Sequence, residues 1–445
     1  MGDRIMKNLY LLLLSFATFF SFADAEDMVL VKGGNVFLAD QGFVKKDLLI
    51  DEGKIILVED QIGDVGAANI IYAQDKYITP GLVVFSSLGL LEIGALSETN
   101  DNSSNIYNAG FDPSKAYNPF SQAVRLNRSK GVTSTVHIPG ASGYFSGLLS
   151  HTKINNGWKQ KKQGPLAVLT SYGQSRGDSR AAELQFMSDL FDFVRIRPED
   201  KANYETDNIQ FFFGTQNDYQ FTNRDLLAIR KLLNNELPLV VRVNKATDIL
   251  NVIKFADSEG IKLILWEANE AHMVADEIAK AGVSVVLDPL NNIPSSFDSL
   301  NATYENVARL NAAGVKMAFY YNQGAGSHNA YLAAQSAGNA VAMGVPYAEA
   351  LNAITKNPAE IFGLVDVGQV SVGFDGDIAI WDADPLELTS FVEKVLIDGV
   401  EQDLSNRYEE LTDRYTKEKD LPNSCLLYTS PSPRDRQKSR MPSSA

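Results

Sequence analysis

The residues best suited to chemistry in this sequence are its four histidines, and their spacing matches no metal or catalytic motif. They are His137, His151, His272 and His328. No H-x-H, H-x-x-E-H or H-E-x-x-H spacing occurs, and these are spacings by which two histidines share a metal. G-x-S-x-G is absent too, and the single cysteine is Cys425, so no serine or thiol nucleophile is indicated. We expect structural or solvated roles for the histidines, with His137 and His328 as the best candidates for a ligand or a base.

Composition and charge limit the class of partner. The chain has 445 residues, 45% of them hydrophobic, which is enough for one large domain or two ordinary ones. Its 40 Lys and Arg stand against 55 Asp and Glu, giving a net charge of −15. A charge of this sign repels phosphate backbones and anionic lipid. We therefore expect no nucleic-acid partner.

Both ends carry segments that we exclude from the fold. An apolar run over 9–22 follows two basic residues and precedes small residues at 23–25, an order typical of a secretory signal peptide over residues 1–25. The run is shorter than the roughly 20 apolar residues that a membrane-spanning helix needs. We expect export to a periplasm or outside a cell, without an integral membrane anchor. Residues 425–445 resemble a translated sequencing adapter, and we interpret them as a non-native tail.

Short strands are predicted near both ends of the remaining body. Over residues 26–79 they are separated by Gly33-Gly34 and by other turn signals. The same character returns over residues 364–412, where Asp398-Gly399 is a favoured two-residue hairpin turn. Neither segment is long enough to bury a sheet face by itself. We therefore predict one composite β-sandwich built from both.

Between these segments, apolar strands alternate with helices. The strand Leu239–Val243 precedes a helix that ends at Gly260, and the strand Ile261–Leu265 precedes a helix that ends at Gly282. This alternation favours a parallel α/β structure. A closed (β/α)8 barrel and an open doubly wound sheet both fit the pattern. No G-x-G-x-x-G follows a strand, so the dinucleotide-binding version is not indicated.

Two segments resemble the amidohydrolase superfamily. Residues 80–89 are similar to the family's first barrel strand, P-G-[LF]-[IV]-D-x-H-x-H-x-G, and residues 350–381 are similar to the motifs A-L-x-x-x-T-x-N-P-A-x-x-L-G and G-x-x-A-D-[LI] that close the barrel and return the chain to the sandwich. Gly131-Val132-Thr133 and residues 245–282 look most like the imidazolonepropionase-related branch. The resemblance implies a (β/α)8 TIM-like barrel over residues 80–363.

The family reaction hydrolyses C–N, non-peptide bonds with a metal-bound water, and its ligands lie at the carboxyl ends of barrel strands. Carried over residue by residue, every position that we aligned is replaced. The former ligand positions hold Ser86, Leu88, Arg242, Glu267 and Asn322, and Val84 holds the place of the strand's aspartate. Leucine has no lone pair for a metal and arginine is a permanent cation. We expect no cofactor, and a divalent metal such as zinc only if the site has been rearranged.

Three hypotheses follow for function. The first is an exported amidohydrolase relative that has lost its metal and binds a small molecule or a partner, such as an intact paralogue or a second copy of itself. The second is an active hydrolase with a rearranged site around Glu267, Arg242, His137 or His328. The third is a scaffold without catalysis. Under the first, Arg242 and Glu267 would meet as an ion pair where the metal would lie.

Overall fold

The computed structural model describes residues 28–66, 69–91, 101–140, 143–173, 179–196, 209–213, 217–322 and 327–416. The predicted signal peptide and the predicted tail lie outside the described residues. Residues up to Leu404 form one compact unit. Residues from Ser405 onward form a second, in which the structure describes the helix α10 (Arg407–Thr416).

The larger part of the first unit is a mixed α/β fold around a curled sheet of eight strands. In sheet order from one edge, the strands of this curled sheet are β15 (Met317–Phe319), β14 (Ser284–Leu287), β13 (Leu263–Glu267), β12 (Leu239–Val243), β9 (Lys162–Ser171), β8 (Phe145–Lys153), β7 (Val132–His137) and β6 (Leu82–Ser86). Seven of them run parallel, and β8 is antiparallel to both neighbours. A separate hairpin is formed by β10 (Ile209–Phe213) and β11 (Asn217–Phe221).

Helices follow most of the parallel strands. They are α1 (Gln122–Arg128), α2 (Arg180–Ile196), α3 (Asn223–Leu233), α4 (Ala246–Glu259), α5 (Ala275–Ala281), α6 (Glu305–Ala312), α7 (Ala333–Ala342), α8 (Tyr347–Asn352) and α9 (Lys356–Phe362). The predicted helix ends at Gly260 and Gly282 are confirmed, with φ of 69° and 65° at these two C-caps. Left-handed backbone of this kind favours glycine. None of the helices in the described ranges is long and apolar enough to cross a membrane.

One two-residue segment joins the two edges of the curled sheet. On one edge, the Val83 N–H in β6 donates to the Ile354 carbonyl at 3.0 Å. On the other, the Phe319 N–H in β15 donates to the Ala353 carbonyl at 2.8 Å. Two neighbouring carbonyls therefore satisfy donors of both edge strands, which curls the sheet back on itself.

The hairpin around β8 departs from the predicted alternation of strands and helices. Only residues 138–144 connect β7 to β8, and only residues 154–161 connect β8 to β9. A crossover to a parallel strand needs a dozen or more residues, whereas an antiparallel partner needs a short turn. The short connections therefore force β8 to run antiparallel.

Both ends of the first unit contribute to one further sheet, which we call the end sheet. It is ordered β18 (Val400–Glu401), β17 (Val392–Ile397), β16 (Ile378–Trp381), β5 (Tyr77–Pro80), β1 (Val29–Leu38), β2 (Gly42–Asp51) and β3 (Lys54–Glu59), with β4 (Asn69–Tyr72) also paired to β1. The predicted pairing of the two chain ends is confirmed by the contact of β16 with β5. Its description as a sandwich stays a prediction.

The predicted break at Gly33-Gly34 is wrong, because β1 runs through it. The ladder between β1 and β2 shifts register between Val31 and Gly34. Gly33 has φ of 76°, and its N–H donates to Asp47 Oδ1 at 2.7 Å. The glycine pair thus forms an irregularity inside one strand rather than a boundary between two. The predicted hairpin at Asp398-Gly399 is present, with Ile397 opposite Val400.

A buried ionic network fastens the curled sheet to the end sheet. Lys153, the last residue of β8, places its Nζ 2.6 Å from Asp375, 2.7 Å from Asp377 and 2.6 Å from Asp398. The Lys153 side chain is only 2% exposed. A lysine buried to this degree is tolerated because the surrounding carboxylates compensate its charge, and the lysine compensates theirs. The network therefore depends on all of its members.

We predict that Lys153→Met lowers the free energy of unfolding by about 3–5 kcal/mol, because it leaves three carboxylates without their shared cation. Lys161→Met is the matched control. Lys161 also pairs with Asp398, at 2.7 Å, but its side chain is 62% exposed, and exposed pairs contribute about 0–1 kcal/mol. Urea unfolding of both variants measures the difference. Equal losses would contradict the role assigned to Lys153.

A second prediction concerns pH. Burial raises the pKa of Asp377 from 3.8 to about 6, and Lys153 opposes this rise. Between pH 3.8 and pH 6, Asp377 keeps its proton in the folded state but has released it in the unfolded chain. The contribution of protonated Asp377 to the free energy of unfolding is therefore present at acid pH and is lost as the pH rises through 6. The wild type should therefore lose about 2 kcal/mol of unfolding free energy between pH 4 and pH 7 through this group. Asp377→Asn lacks the group, so its unfolding free energy minus that of the wild type should rise by the same amount over this range. Unfolding curves at several pH values test this, and a difference independent of pH would contradict it.

Candidate functional site

Polar side chains of four neighbouring strands meet at the carboxyl edge of the curled sheet. Arg242 is the penultimate residue of β12, Glu267 ends β13, Asp288 directly follows β14, and Asn322 lies three residues beyond β15. Because these strands are parallel, their carboxyl ends share one edge, which is where enzymes with parallel α/β folds place their chemistry. We call these four residues the polar rim. Asp288 is absent from the predicted set, although its position after the strand Ser284–Leu287 was a usable signal.

The inner face of the curled sheet is apolar and filled. All eight strands contribute to one buried cluster, which includes Val83, Val136, Leu149, Ala167, Val240, Ile264, Val286 and Ala318. The alternate residues of the strands belong to a larger cluster shared with the helices. The two-residue period of a strand therefore separates an inner face from an outer, helix-covered face.

Four rings occupy this inner face, and we call them the inner aromatic cluster. Phe85 meets Trp266 edge to face with ring centroids 5.3 Å apart, and Trp266 lies 5.1 Å from Tyr320. Phe362 from α9 packs 5.4 Å from Phe85. Trp266 is 1% exposed and Tyr320 is 4% exposed. Side chains of this volume leave the interior beneath the polar rim occupied by carbon rather than by ligand groups.

Ser86 and Leu88, the first two residues predicted at former ligand positions, lie away from this cluster. Ser86 is buried and pairs in register with His137 of β7. Leu88 is fully buried and belongs to the outer cluster with the helices. Phe85, one residue before Ser86, is the side chain that this strand presents to the inner face. This segment thus provides a ring there instead of a metal ligand.

The predicted ion pair between Arg242 and Glu267 is wrong. Among the residues that the structure describes, the ion pairs within 4.0 Å do not include these two. The register explains it, because Arg242 lies opposite Trp266 and Glu267 lies opposite Val243. Directly opposed residues share a face and successive residues alternate, so Arg242 and Glu267 leave their strands on different sides.

Glu267 has an unusual backbone. Its φ is 70°, and Ala268 follows with φ of 47°. Left-handed conformations are uncommon for residues with a Cβ, and they concentrate at functional sites. The turn lets the Glu267 carboxylate accept a hydrogen bond from Asn244 Nδ2 at 2.9 Å. Strain and a polar contact therefore coincide at one point of the rim.

Electrostatics link the rim to the aromatic cluster. Burial raises the pKa of Tyr320, the Glu267 and Asp288 carboxylates raise it further, and Arg242 opposes the rise. The Tyr320 phenol is therefore protonated at physiological pH. It is suited to remain a neutral group beneath the rim rather than to act as a base.

The histidines do not gather at the rim. His137 and His151 are fully buried on neighbouring strands, where Val136 lies opposite His151 and His137 lies opposite Ser150. The two rings therefore leave opposite faces of the sheet, and His137 faces away from the inner cluster that holds Val136. His151 lies within the strand β8.

Burial makes both histidines neutral. It lowers the pKa of His137 to about 3, with smaller contributions from His151 and Lys162. It also lowers the pKa of His151 to about 3, aided by Lys153. The His137 ring shares a hydrogen bond of 2.9 Å with Thr152 Oγ1. A group with so low a pKa is a poor general base near neutral pH.

The other two histidines lie on short 3₁₀ helices. His272 is part of Ala271–Met273 and is half-buried. His328 is part of Ser327–Leu332, and its carbonyl accepts a hydrogen bond from Asn127 Nδ2 at 3.1 Å. Within the described ranges, no three side chains of His, Cys, Asp or Glu come together as a metal site would require.

We predict that Trp266→Ala destabilises the protein by about 3–5 kcal/mol, because it empties the centre of the inner aromatic cluster. Trp158 is the matched control, since it is 85% exposed, and its replacement by alanine should change stability by less than about 0.5 kcal/mol. Chemical denaturation followed by circular dichroism measures both. A loss below that of the control would show that the inner face is not packed as described.

Comparison with known sequences agrees with this architecture. Residues 226–401 match the model of the amidohydrolase family. The amidohydrolase tasK of Hapsidospora irregularis is 22% identical over 409 residues, covering 80% of this chain and 40% of that protein. An imidazolonepropionase of Pseudoalteromonas atlantica is 30% identical over 122 residues, covering 26% of this chain and 28% of that protein. The chain thus spans well under two thirds of the length of either relative.

Comparison with solved structures gives the same family. An amidohydrolase from Thermotoga maritima superposes with a TM-score of 0.72 at 25% identity, covering 84% of this chain and 99% of that one. The family model covers the part of the chain from α3 to β18. The chain therefore carries an amidohydrolase family domain, in a fold that it shares with solved amidohydrolases.

Proposed function

We propose that this chain is an exported amidohydrolase relative whose curled sheet closes as a barrel of the family's (β/α)8 type, with β8 as the departure from strict alternation. We propose further that it holds no metal and binds a small molecule at the polar rim. The family membership supports hydrolase ancestry. The signal-like segment at 1–25 supports export.

The observation that carries the metal-free proposal is the inner aromatic cluster. A divalent metal needs several lone-pair donors at about 2.0–2.6 Å, converging from different strands. At this level of the fold, Phe85, Trp266 and Tyr320 pack against one another instead. Rings that bury one another at this density offer neither ligands nor space.

The rim supports binding rather than the family's hydrolysis. The family reaction needs a metal-bound water and a carboxylate that moves its proton. Asn322 stands where that carboxylate is expected, and an amide does not take up a proton near neutral pH. Rim groups that remain, Glu267 and Asp288, are carboxylates at the edge where a ligand would enter. They suit hydrogen bonding to a bound molecule.

We predict that the purified protein carries well below one equivalent of zinc, manganese or iron after dialysis. Added zinc should also leave the melting temperature unchanged, since only a ligand that binds the native state raises it. Elemental analysis and thermal denaturation check both. The double variant Glu267→Gln with Asp288→Asn is the control for a rearranged site. Stoichiometric metal in the wild type that is lost in this variant would overturn the proposal and restore the hydrolase hypothesis.

A further inference from the structure

The guanidinium of Arg242 lies at the polar rim with one donor, Nε, unsatisfied among the described residues. Within the part of the chain that the structure describes, Arg242 Nε is buried and has no hydrogen-bond partner. The remainder of the residue is partly exposed at the end of β12. A buried donor without a partner is costly, and an arginine cannot escape the cost by losing its proton. A partner from outside the chain would remove it.

The nearby carboxylates are held by other donors. Glu267 accepts from the Asn244 amide at 2.9 Å. Asp288 accepts from the backbone N–H of Leu290 at 2.9 Å and from that of Asn322 at 3.0 Å. Arg242 and both carboxylates each act on the same phenol, that of Tyr320. These hydrogen bonds hold both carboxylates, and among the described residues none is a hydrogen-bond partner of Arg242 Nε.

Building on the proposed function, we propose that Arg242 is the anchor for the carboxylate of a small organic anion bound at the polar rim. The planar guanidinium presents a fork of donors that matches the two oxygens of a carboxylate. Such a ligand would satisfy the buried Nε and complete a site that this chain leaves open. Arg242 thereby acts as a binding residue and not as half of an internal ion pair.

The charge around the rim selects a singly charged ligand. Glu267 and Asp288 lie at the same edge of the curled sheet as Arg242, and Glu270 is buried just beyond β13. Negative groups at this edge repel a doubly charged phosphate more strongly than a singly charged carboxylate. Amides at the same edge, among them Asn244 and Asn322, offer neutral donors and acceptors for the rest of the molecule. The site therefore favours an organic monoacid with polar, uncharged groups.

The experiment titrates the full chain with acetate, benzoate and inorganic phosphate at constant ionic strength and follows binding by calorimetry and by melting temperature. We expect acetate or benzoate to bind and to raise the melting temperature, and phosphate to bind more weakly. Arg242→Met should weaken carboxylate binding by about tenfold or more, as expected for the loss of a charge-assisted pair. The matched control is Arg309→Met, because Arg309 is exposed and pairs with Glu305 on α6. It should bind as the wild type does.

Arg242→Lys keeps the charge without the planar fork, and it covers the case in which the methionine variant fails to fold. It should bind carboxylates several-fold more weakly than the wild type while melting at a similar temperature. The inference is overturned if neither carboxylate binds, if phosphate binds more tightly, or if the Arg242 variants bind as well as the wild type. The metal content of the purified protein tests the proposed function, whereas these binding measurements test the role of Arg242. A metal-free protein that ignores carboxylates would refute this inference alone.

Discussion

The hydrogen bonds that join the two edges of the curled sheet are the constraint on which the site depends. The carbonyls of Ala353 and Ile354 receive donors from β15 and β6, so the sheet encloses its own inner face. Once the sheet is curled, alternate residues of every strand must converge on one interior. This is why Phe85 and Trp266, from strands far apart in the sheet order, touch edge to face. It also places the carboxyl ends of β12 to β15 side by side as the polar rim.

The groups that this chain places in that interior and at its rim are of different kinds. A fold supports many functions, and the function is decided by the groups placed at the site. Here rings fill the inner face, the histidines are dispersed over separate places, and the rim holds one arginine among carboxylates and amides. The strained backbone at Glu267 lies at this same edge. Under the proposed function, the inner aromatic cluster serves stability and the polar rim serves ligand recognition.

The ionic network at Lys153 lies at the amino end of the parallel strands, opposite the polar rim, and joins the curled sheet to the end sheet. It fastens β8 to residues that flank β16 and to the hairpin between β17 and β18. Because the end sheet is built from both ends of the first unit, this contact holds a discontinuous element against the curled sheet. Separating the two sheets would leave these buried charges without their partners, which is costly.

Local signals in the sequence were sufficient for many elements and for the family. Glycines mark the ends of α4 and α5, Asp398-Gly399 marks a hairpin, and the motif at residues 350–381 lies within the stretch that matches the amidohydrolase family. These features depend on neighbours in the chain, so the sequence alone determines them. The prediction that Ser86 and Leu88 stand where the family has metal ligands likewise comes from the sequence alone.

Contacts between distant residues were decided only by the tertiary structure. The register between β12 and β13 sets Arg242 beside Trp266 and away from Glu267, and a shift of one residue would have reversed this. The two-residue period of a strand likewise directs Phe85 to the inner face of the curled sheet and His137 to its outer face. The direction of β8 depended on the length of its connections, and the lone arginine at the rim depended on which donors reach Glu267 and Asp288. A sequence states which side chains exist, but hydrogen-bond register and curl determine which of them share a face.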